Sequence, residues 1–556
     1  MPGLAARLPR DIIYELFVWA ALEDPSGCKA HSAEGLPNEF ELGWMKLTHV
    51  CHLWRTVGIE AALLWASVVS TFHDAAIAEE LSSRARNCAL SIDIIGGWDV
   101  ESTSAHRAAS AFEWAIANLD RAHTIRASLA HYLDPSHTQA LLPIIDGRHL
   151  PNLRDLTLVS KRFSPTSQPE SFILNTPALQ SADLINALPS PSSAGFHNLR
   201  DLSIRFDSGA IYLTSHQLMK LLRATPGLES LSLKLYHRGR RIYSAEWNGS
   251  AADSEIIDVH LEHLKVLSFA STNCAQLCDL WARVQAPNAR VVAVCVDKGW
   301  SPDLVFGEAF GRQLAYVPYE RFSICAYRID LTTQSVTPSA FVFTYPPMHT
   351  SSYAELMNDV ATSITSGQLS ALTRVTEFSV SFPYRNRDHE LHVSELLGEG
   401  LLHQAMDSTL GTALIGLGQV LTDTTVLELW AHAEELAFLG YIIQQPRPLF
   451  LPALQTLRFK VGLGVLGFLG GREGGIQRWW KGIREFLEMR KDVGAPIVRI
   501  EIEGKGELFQ RTTWTETRDT EASECYSRGL LQEIVDMQEW ETVCVICDST
   551  PSFCNH

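Results

Sequence analysis

No stretch of the 556-residue chain approaches the roughly 18 uncharged apolar residues that a membrane-spanning helix needs. The nearest, Val461 to Gly471, is short and broken by glycine. The first sixteen residues carry Arg7, Arg10, Asp11 and Glu15, so they lack the unbroken apolar run of a secretory signal peptide. Positive charge is scarce as well: 46 Lys and Arg face 63 Asp and Glu, a formal net charge of −17. A surface that acidic repels phosphate backbones and anionic lipid, which argues against nucleic acid or a membrane as the main partner. A disulfide framework is missing too. The eleven cysteines are odd in number and scattered, with Cys51, Cys88, Cys295 and Cys325 inside apolar runs. Reduced, buried thiols of a cytoplasmic or nuclear protein are the expectation.

Catalytic signatures are equally sparse. The twenty histidines form no His-Glu-x-x-His, no Gly-x-Ser-x-Gly elbow occurs, and no carboxylate pair stands out by its spacing. The chain is therefore expected not to be an enzyme and to use no cofactor and no metal. Two patterns imitate a site. Gly462-x-Gly464-x-x-Gly467 follows an apolar run, as a dinucleotide-binding loop would, but its third glycine does not open a helix, because Phe468 to Gly475 continues as loop. Cys544, Cys547, Cys554 and His556 have zinc-ligand chemistry, yet a second closely spaced ligand pair is missing, and loose thiols are the better reading. Cys274 and Cys278, one helical turn apart, read as packing.

What the chain does have is a composition of 46% apolar and 20% charged residues, that of a folded protein. Its length allows about three to five ordinary domains or one elongated repeat array. A chain of this size buries roughly three quarters of its unfolded surface, enough to fold without metal or disulfide.

At the N-terminus, Leu8 to Trp19 reads as a short amphipathic helix. Pro9 sits at its start, where a missing N–H costs nothing, and Asp11 lies near the positive dipole end. Ile12, Ile13, Leu16, Phe17 and Ala20 give one broad apolar stripe. Glu23 to Glu41 is a polar break punctuated by Asp24-Pro25-Ser26-Gly27 and Pro37. A second helix is expected over Leu47 to Ile59, with Leu47, Val50, Cys51, Trp54 and Val57 on one side, and Leu63, Leu64 and Trp65 close the segment.

This set of spaced residues resembles an F-box, in the fungal F-box-like form: Leu8-Pro9, Asp11-Ile12-Ile13, Leu16-Phe17, then Gly43 to Arg55, then Leu64-Trp65. The likeness covers about 60 residues. It departs from the usual pattern in the insert Glu23–Glu41 and in Asp11, where glutamate is more usual. The resemblance implies a three-helix module that docks on Skp1, the linker subunit of SCF ubiquitin ligases, and through it on a cullin. Leu8, Pro9, Ile12, Ile13 and Leu16 would enter the Skp1 groove. Val50, Cys51, Trp54 and Leu64 would divide between the module's core and the interface.

Beyond about residue 75 the template Leu-x-x-Leu-x-Leu recurs. It fits at Leu153–Leu158, Leu199–Ile204, Leu228–Leu233, Leu264–Phe269 and Leu454–Phe459, and more weakly at Ala289–Val294, Val375–Val380 and Ile497–Ile502. Alternating apolar residues predict strands with one face inward. Helices are expected between them, such as His216–Ala224 and Gln477–Met489. The spacing is irregular, and the consensus asparagine of leucine-rich repeats is replaced by Lys161, Asp207 and Tyr236, so helices must cover those turns in varied ways. Arg321–Ile329 and Ala340–Tyr345 read as strands.

The expected fold class is thus α/β: an F-box over residues 1–70, then an irregular leucine-rich-repeat-like solenoid with a parallel sheet over 75–505, including a possible β-rich insert at 295–375. An acidic tail, 506–556, is expected to hold a short helix at Leu530–Trp540. Outward strand positions would bind a protein target, with Arg154, Asp155, Arg200, Asp201, Glu229 and Glu262 as candidates. The functional expectation is a substrate-recruiting adaptor of an SCF-type ligase. The alternative is an interaction scaffold outside the ligase that keeps the module.

Overall fold

The computed structural model describes residues 7–29, 39–72, 74–95, 102–128, 141–159, 171–192, 196–206, 215–235, 258–272, 274–296, 304–325, 328–334, 339–344, 374–380, 408–430, 433–444, 449–461, 475–504 and 543–547. The chain divides into two compact units, Met1–Leu264 with Arg283–Gln285, and Lys265–Ala282 with Ala286–His556. Both are mixed α/β and each holds a mostly parallel sheet. Among the described residues no helix is long and apolar enough to cross a membrane.

The first unit opens with helix α1 (Arg10–Glu23), with Pro9 as its N-cap at φ −58° and ψ 151° and Asp11 in the first turn. The short strands β1 (Gly27–Lys29) and β2 (Glu39–Glu41) pair antiparallel, so the ends of the expected break are tied together. The helix expected over Leu47–Ile59 is two pieces. A 3₁₀ turn, Gly43–His49, ends at Val50, Cys51 is fully extended at φ −162° and ψ 176°, and α2 (His52–Glu60) begins after it. Then come α3 (Ala62–Ser67) and α4 (Ala75–Ala85), the latter capped by Asp74, whose carboxylate accepts from the N–H groups of Ala76 and Ile77.

The sheet of this unit is built from β3 (Leu90–Ile95), β4 (Ala122–Ser128), β5 (Asp155–Val159), β7 (Ser181–Ile185), β9 (Asp201–Phe206) and β10 (Ser230–Leu235). These six lie side by side in chain order and all pair parallel. Helices α5 (Ser102–Ala117), α6 (Leu141–Ile145) and α7 (Ser215–Arg223) fall between them in sequence. Two small parallel pairs complete it: β6 (Ser171–Phe172) with β8 (Leu188–Pro189), and β11 (Val259–His260) with β13 (Val284–Gln285).

In the second unit the order across the sheet is β22 (Val543–Cys547), β21 (Arg499–Gly504), β20 (Thr456–Val461), β19 (Val426–Trp430), β18 (Glu377–Val380), β15 (Arg321–Cys325), β16 (Arg328–Thr332), β17 (Ala340–Thr344), β14 (Val291–Val296), β12 (Val266–Ser271). All neighbours are parallel except β15–β16 and β16–β17. The strand expected at Arg321–Ile329 is therefore two antiparallel strands. The β-rich segment within 295–375 does not stand apart from the sheet: β17 pairs parallel with β14, and β15 parallel with β18, so the segment reverses the chain within the row. Helices α8 (Cys274–Arg283), α9 (Leu304–Tyr316), α10 (Ser408–Val420), α11 (Ala433–Gln444) and α12 (Gly475–Asp492) alternate with the strands in sequence. The Gly462 loop and the tail from residue 505, apart from the backbone of β22, lie outside the described residues.

One local arrangement recurs in both units. The first leucine of each template copy is buried at the turn before its strand, as with Leu153, Leu199, Leu228, Leu264 and Leu454, and the next two point into the core. The N–H of that first residue bonds back three residues, Leu153 to the Leu150 carbonyl and Leu454 to that of Leu451. The carbonyl just before each strand then accepts two N–H groups from the start of the next: Arg154 from Gln180 and Ser181, Arg200 from Glu229 and Ser230, Thr425 from Gln455 and Thr456. The cross-strand register is thus fixed by backbone, whatever the length of the connection.

The turn before β20 is closed by Arg490. Fully buried on α12, it donates to the carbonyls of Phe450, Leu451, Leu454 and Ala495. Burial without a carboxylate pulls its pKa down to about 10.

Candidate partner-binding surface

The N-terminal helices are held by an aromatic core. Ile13 and Phe17, one turn apart on α1, are both fully buried. The Phe17 ring meets Trp44 edge-on at 5.8 Å and Trp54 at 6.0 Å, and Trp44 packs on Trp65 at 4.8 Å. The Trp65 indole donates to the Gly58 carbonyl at 2.8 Å. Gly58 has no room for a side chain, because a Cβ there would stand 2.8 Å from Phe17 Cζ and from Thr48 Cγ2. Gly43 is required as well: its φ is +48° and a Cβ would lie 2.4 Å from the Asp24 carbonyl, which accepts the Trp44 N–H. The module is fastened to the sheet beside it. Arg84 of α4 stacks over Trp65 at 4.8 Å. The Ser70 hydroxyl donates to the Ser91 carbonyl and accepts the Asp93 N–H on β3.

With that core filled, a second set of apolar side chains faces outward. On α1, Ile12, Leu16, Trp19 and Leu22 line the side away from Ile13 and Phe17, with Trp19 62% and Leu22 71% exposed. Leu42, Val50, Ile59 and Leu63 are also exposed. These eight residues, all between positions 12 and 63, make up most of the thirteen exposed large apolar side chains among the described residues. Apolar exposure is thus concentrated in this span of the sequence, whereas elsewhere it occurs as single scattered residues. Charged residues are interspersed with them: Arg10 pairs with Glu60 and Lys46 with Asp24 at 3.6 Å, and Asp11, Glu15 and Glu23 of α1 are exposed.

The expected contact residues divide accordingly. Pro9, Ile12, Leu16 and Val50 are exposed, and Leu8, Cys51 and Leu64 are half-buried. Ile13, expected at the interface, and Trp54, expected to divide between core and interface, are interior, at 0% and 7% exposure; Trp54 packs on Phe17. Trp19, Leu22, Leu42, Ile59 and Leu63 were not anticipated. The signal for Trp19 was readable: Ile12, Leu16 and Trp19 repeat the i, i+4, i+7 spacing of Ile13, Phe17 and Ala20, so α1 is apolar on two faces.

The outward faces of the sheets are polar. In the first unit, Arg154, Asp155, Arg200 and Asp201 are exposed at the starts of β5 and β9, and Glu229 lies half-buried 3.5 Å from Arg200. Glu262 sits in the turn Leu261–Leu264 instead of on this row. Asp93 on β3 is largely buried, which pushes its carboxyl above the usual range against the pull of Arg126. In the second unit a cross-strand row of charges is shared between strands. Arg458 reaches Glu501 at 2.6 Å, Glu428 at 3.5 Å and Glu377 at 3.8 Å, and Lys460 pairs with Glu428 at 2.8 Å. Burial alone would raise the Glu428 carboxyl, but hydrogen bonds from Lys460 and Ser379 and the Arg458 charge hold it below its ordinary value.

Among the described residues no group of three or more His, Cys, Asp or Glu is placed to hold a metal ion. Cys544 and Cys547 lie on β22, while Cys554, His556 and Gly462, Gly464 and Gly467 are outside the described residues. No protein-family model matches the chain, and no curated protein matches it.

Proposed function

We propose that this protein is a non-catalytic adaptor of an SCF-type ubiquitin ligase. Its N-terminal module acts as an F-box that docks on a Skp1-like linker, and its parallel-sheet units act as a leucine-rich-repeat-like scaffold that presents a protein target. The observation that carries the reading is the concentration of exposed apolar side chains on residues 12–63, over a module whose own core is already complete. A helix that is apolar on two faces has one face more than its fold requires. The spaced Leu8-Pro9, Asp11 to Phe17 and Gly43 to Arg55 pattern supplies the identity of the expected partner.

The test is co-expression with a Skp1-like linker, followed by a direct binding measurement. The adaptor reading expects a complex that also recruits a cullin, weakened when Leu8 and Pro9, or Leu16 and Trp19, are replaced by alanine. A complex that never captures a cullin would favour the scaffold alternative. No binding at micromolar concentrations would reject both roles for the module.

A further inference from the structure

The chain contains eleven lysines against thirty-five arginines. No lysine occurs from residue 47 to residue 160, where all eight cationic residues are arginine, nor from residue 299 to residue 459, which again holds eight arginines. Some of these arginines need a guanidinium. Arg84 stacks on Trp65 and pairs with Glu80, Arg121 donates to Ser82 and to the carbonyls of Arg86 and Cys88, and Arg148 bridges Asp120 and the Ile116 carbonyl. Others do not. Arg55, Arg86, Arg126 and Arg154 are exposed, and for none of them does the fold use the planar fork among the described residues. A lysine would supply the same charge at each, so packing does not account for arginine there.

The two side chains differ in one chemical respect that matters to a ubiquitin ligase. A lysine ε-amine that has shed its proton attacks the thioester carbonyl joining ubiquitin's C-terminus to the carrier enzyme's cysteine. The C–N bond forms, the C–S bond breaks, the cysteine leaves as thiolate and the amine's second proton passes to solvent. Arginine stays protonated and delocalised, and offers no such nucleophile. Resting on the adaptor reading above, we infer that the lysine-free tract of the module and its adjoining sheet protects this subunit from ubiquitin transfer onto itself. Lys46, exposed on the 3₁₀ turn and paired with Asp24, borders that tract and is the single lysine acceptor between residues 30 and 160.

The experiment restores amines without changing charge. Arg86→Lys and Arg126→Lys are combined in the full chain, neither residue belonging to the apolar docking surface. The variant is assembled with linker, cullin, activating and carrier enzymes and ubiquitin, and conjugates are mapped by mass spectrometry. Because residues 30–160 go from one lysine to three, ubiquitin on that span should rise about threefold for equivalent acceptors, with new conjugates at residues 86 and 126. Unchanged modification in an assembled complex that does conjugate ubiquitin elsewhere overturns the inference and leaves the adaptor reading intact. Failure of the wild-type chain to assemble with linker and cullin overturns the adaptor reading itself, and the inference with it. Lys46→Arg supplies the converse: it should remove conjugates from residues 30–160 of the otherwise unaltered chain, and their persistence at the same level would count against the assignment.

Discussion

The N-terminal module and the parallel sheet of the same unit dispose of apolar side chains in opposite ways. Along β9 and β10 the pattern alternates, with Leu202, Ile204, Leu231 and Leu233 inward and Asp201, Ser203, Ser230 and Ser232 outward. Everything apolar there serves the interior. In the module, α1 spends Ile13 and Phe17 on the interior and leaves Ile12, Leu16, Trp19 and Leu22 outside. The difference teaches that stability and recognition are separable by substitution on α1, whereas on the strands the inward residues decide stability and the outward ones are nearly silent.

The largest expected effect lies inside the module. Phe17→Ala removes a ring that touches both Trp44 and Trp54 and should cost about 3–5 kcal/mol, read as a lowered denaturation midpoint together with lost linker binding. Trp19→Ala sharpens the contrast. It should leave the midpoint within about 0.5 kcal/mol of wild type, yet weaken linker binding by about 2 kcal/mol, roughly thirtyfold by calorimetry. Equal losses in both measurements would erase the distinction between the two faces.

On the sheets the expected effects are smaller and electrostatic. Glu428→Gln should cost about 1 kcal/mol at pH 7 by weakening the half-buried row around Arg458 and Lys460. The folded chain holds the Glu428 carboxyl below its ordinary value. The stabilisation is therefore fully present above the ordinary carboxylate range and is lost as pH falls through the lowered value. The gap in midpoint between wild type and variant should close in acid, and a gap that widens in acid would reverse the assignment. Smallest of all, Asp201→Ala on the exposed start of β9 should change stability by no more than about 0.5 kcal/mol. A large loss there would show that the sheet's outer face is not the inert counterpart of the module's.

Much of the fold was legible because the strand period is simple. Every template copy from Leu153 to Ile497 leads into a strand, the weak ones included. Copies were hidden where a different side chain does the same work. In β7 the middle leucine is Ala182, in β4 the inward pair is Ile125 and Ala127, and before β19 the first position is Thr424, whose buried hydroxyl donates to the Val375 carbonyl. Arg490 was invisible for the same reason, since a charged residue in a helix gives no hint that it closes a turn some forty residues earlier. The extended Cys51 that splits the expected second helix answers to tertiary packing of Trp44 and Trp54, which no local propensity reports. On the exposed apolar face of α1 the residue types were readable but their partition was not. Adjacent Ile12 and Ile13 look alike in sequence, and the aromatic core alone decides which one is spent.

Ser70 carries a consequence of its own. A parallel sheet that begins with β3 would otherwise offer a row of open backbone donors and acceptors to any passing extended chain, and such rows template fibrous polymerisation. By accepting the Asp93 N–H and donating a hydrogen bond to the Ser91 carbonyl, one hydroxyl satisfies two of those groups as a neighbour strand would. Removing the segment that carries Ser70 would leave those two groups of the β3 edge open to pairing with another extended chain.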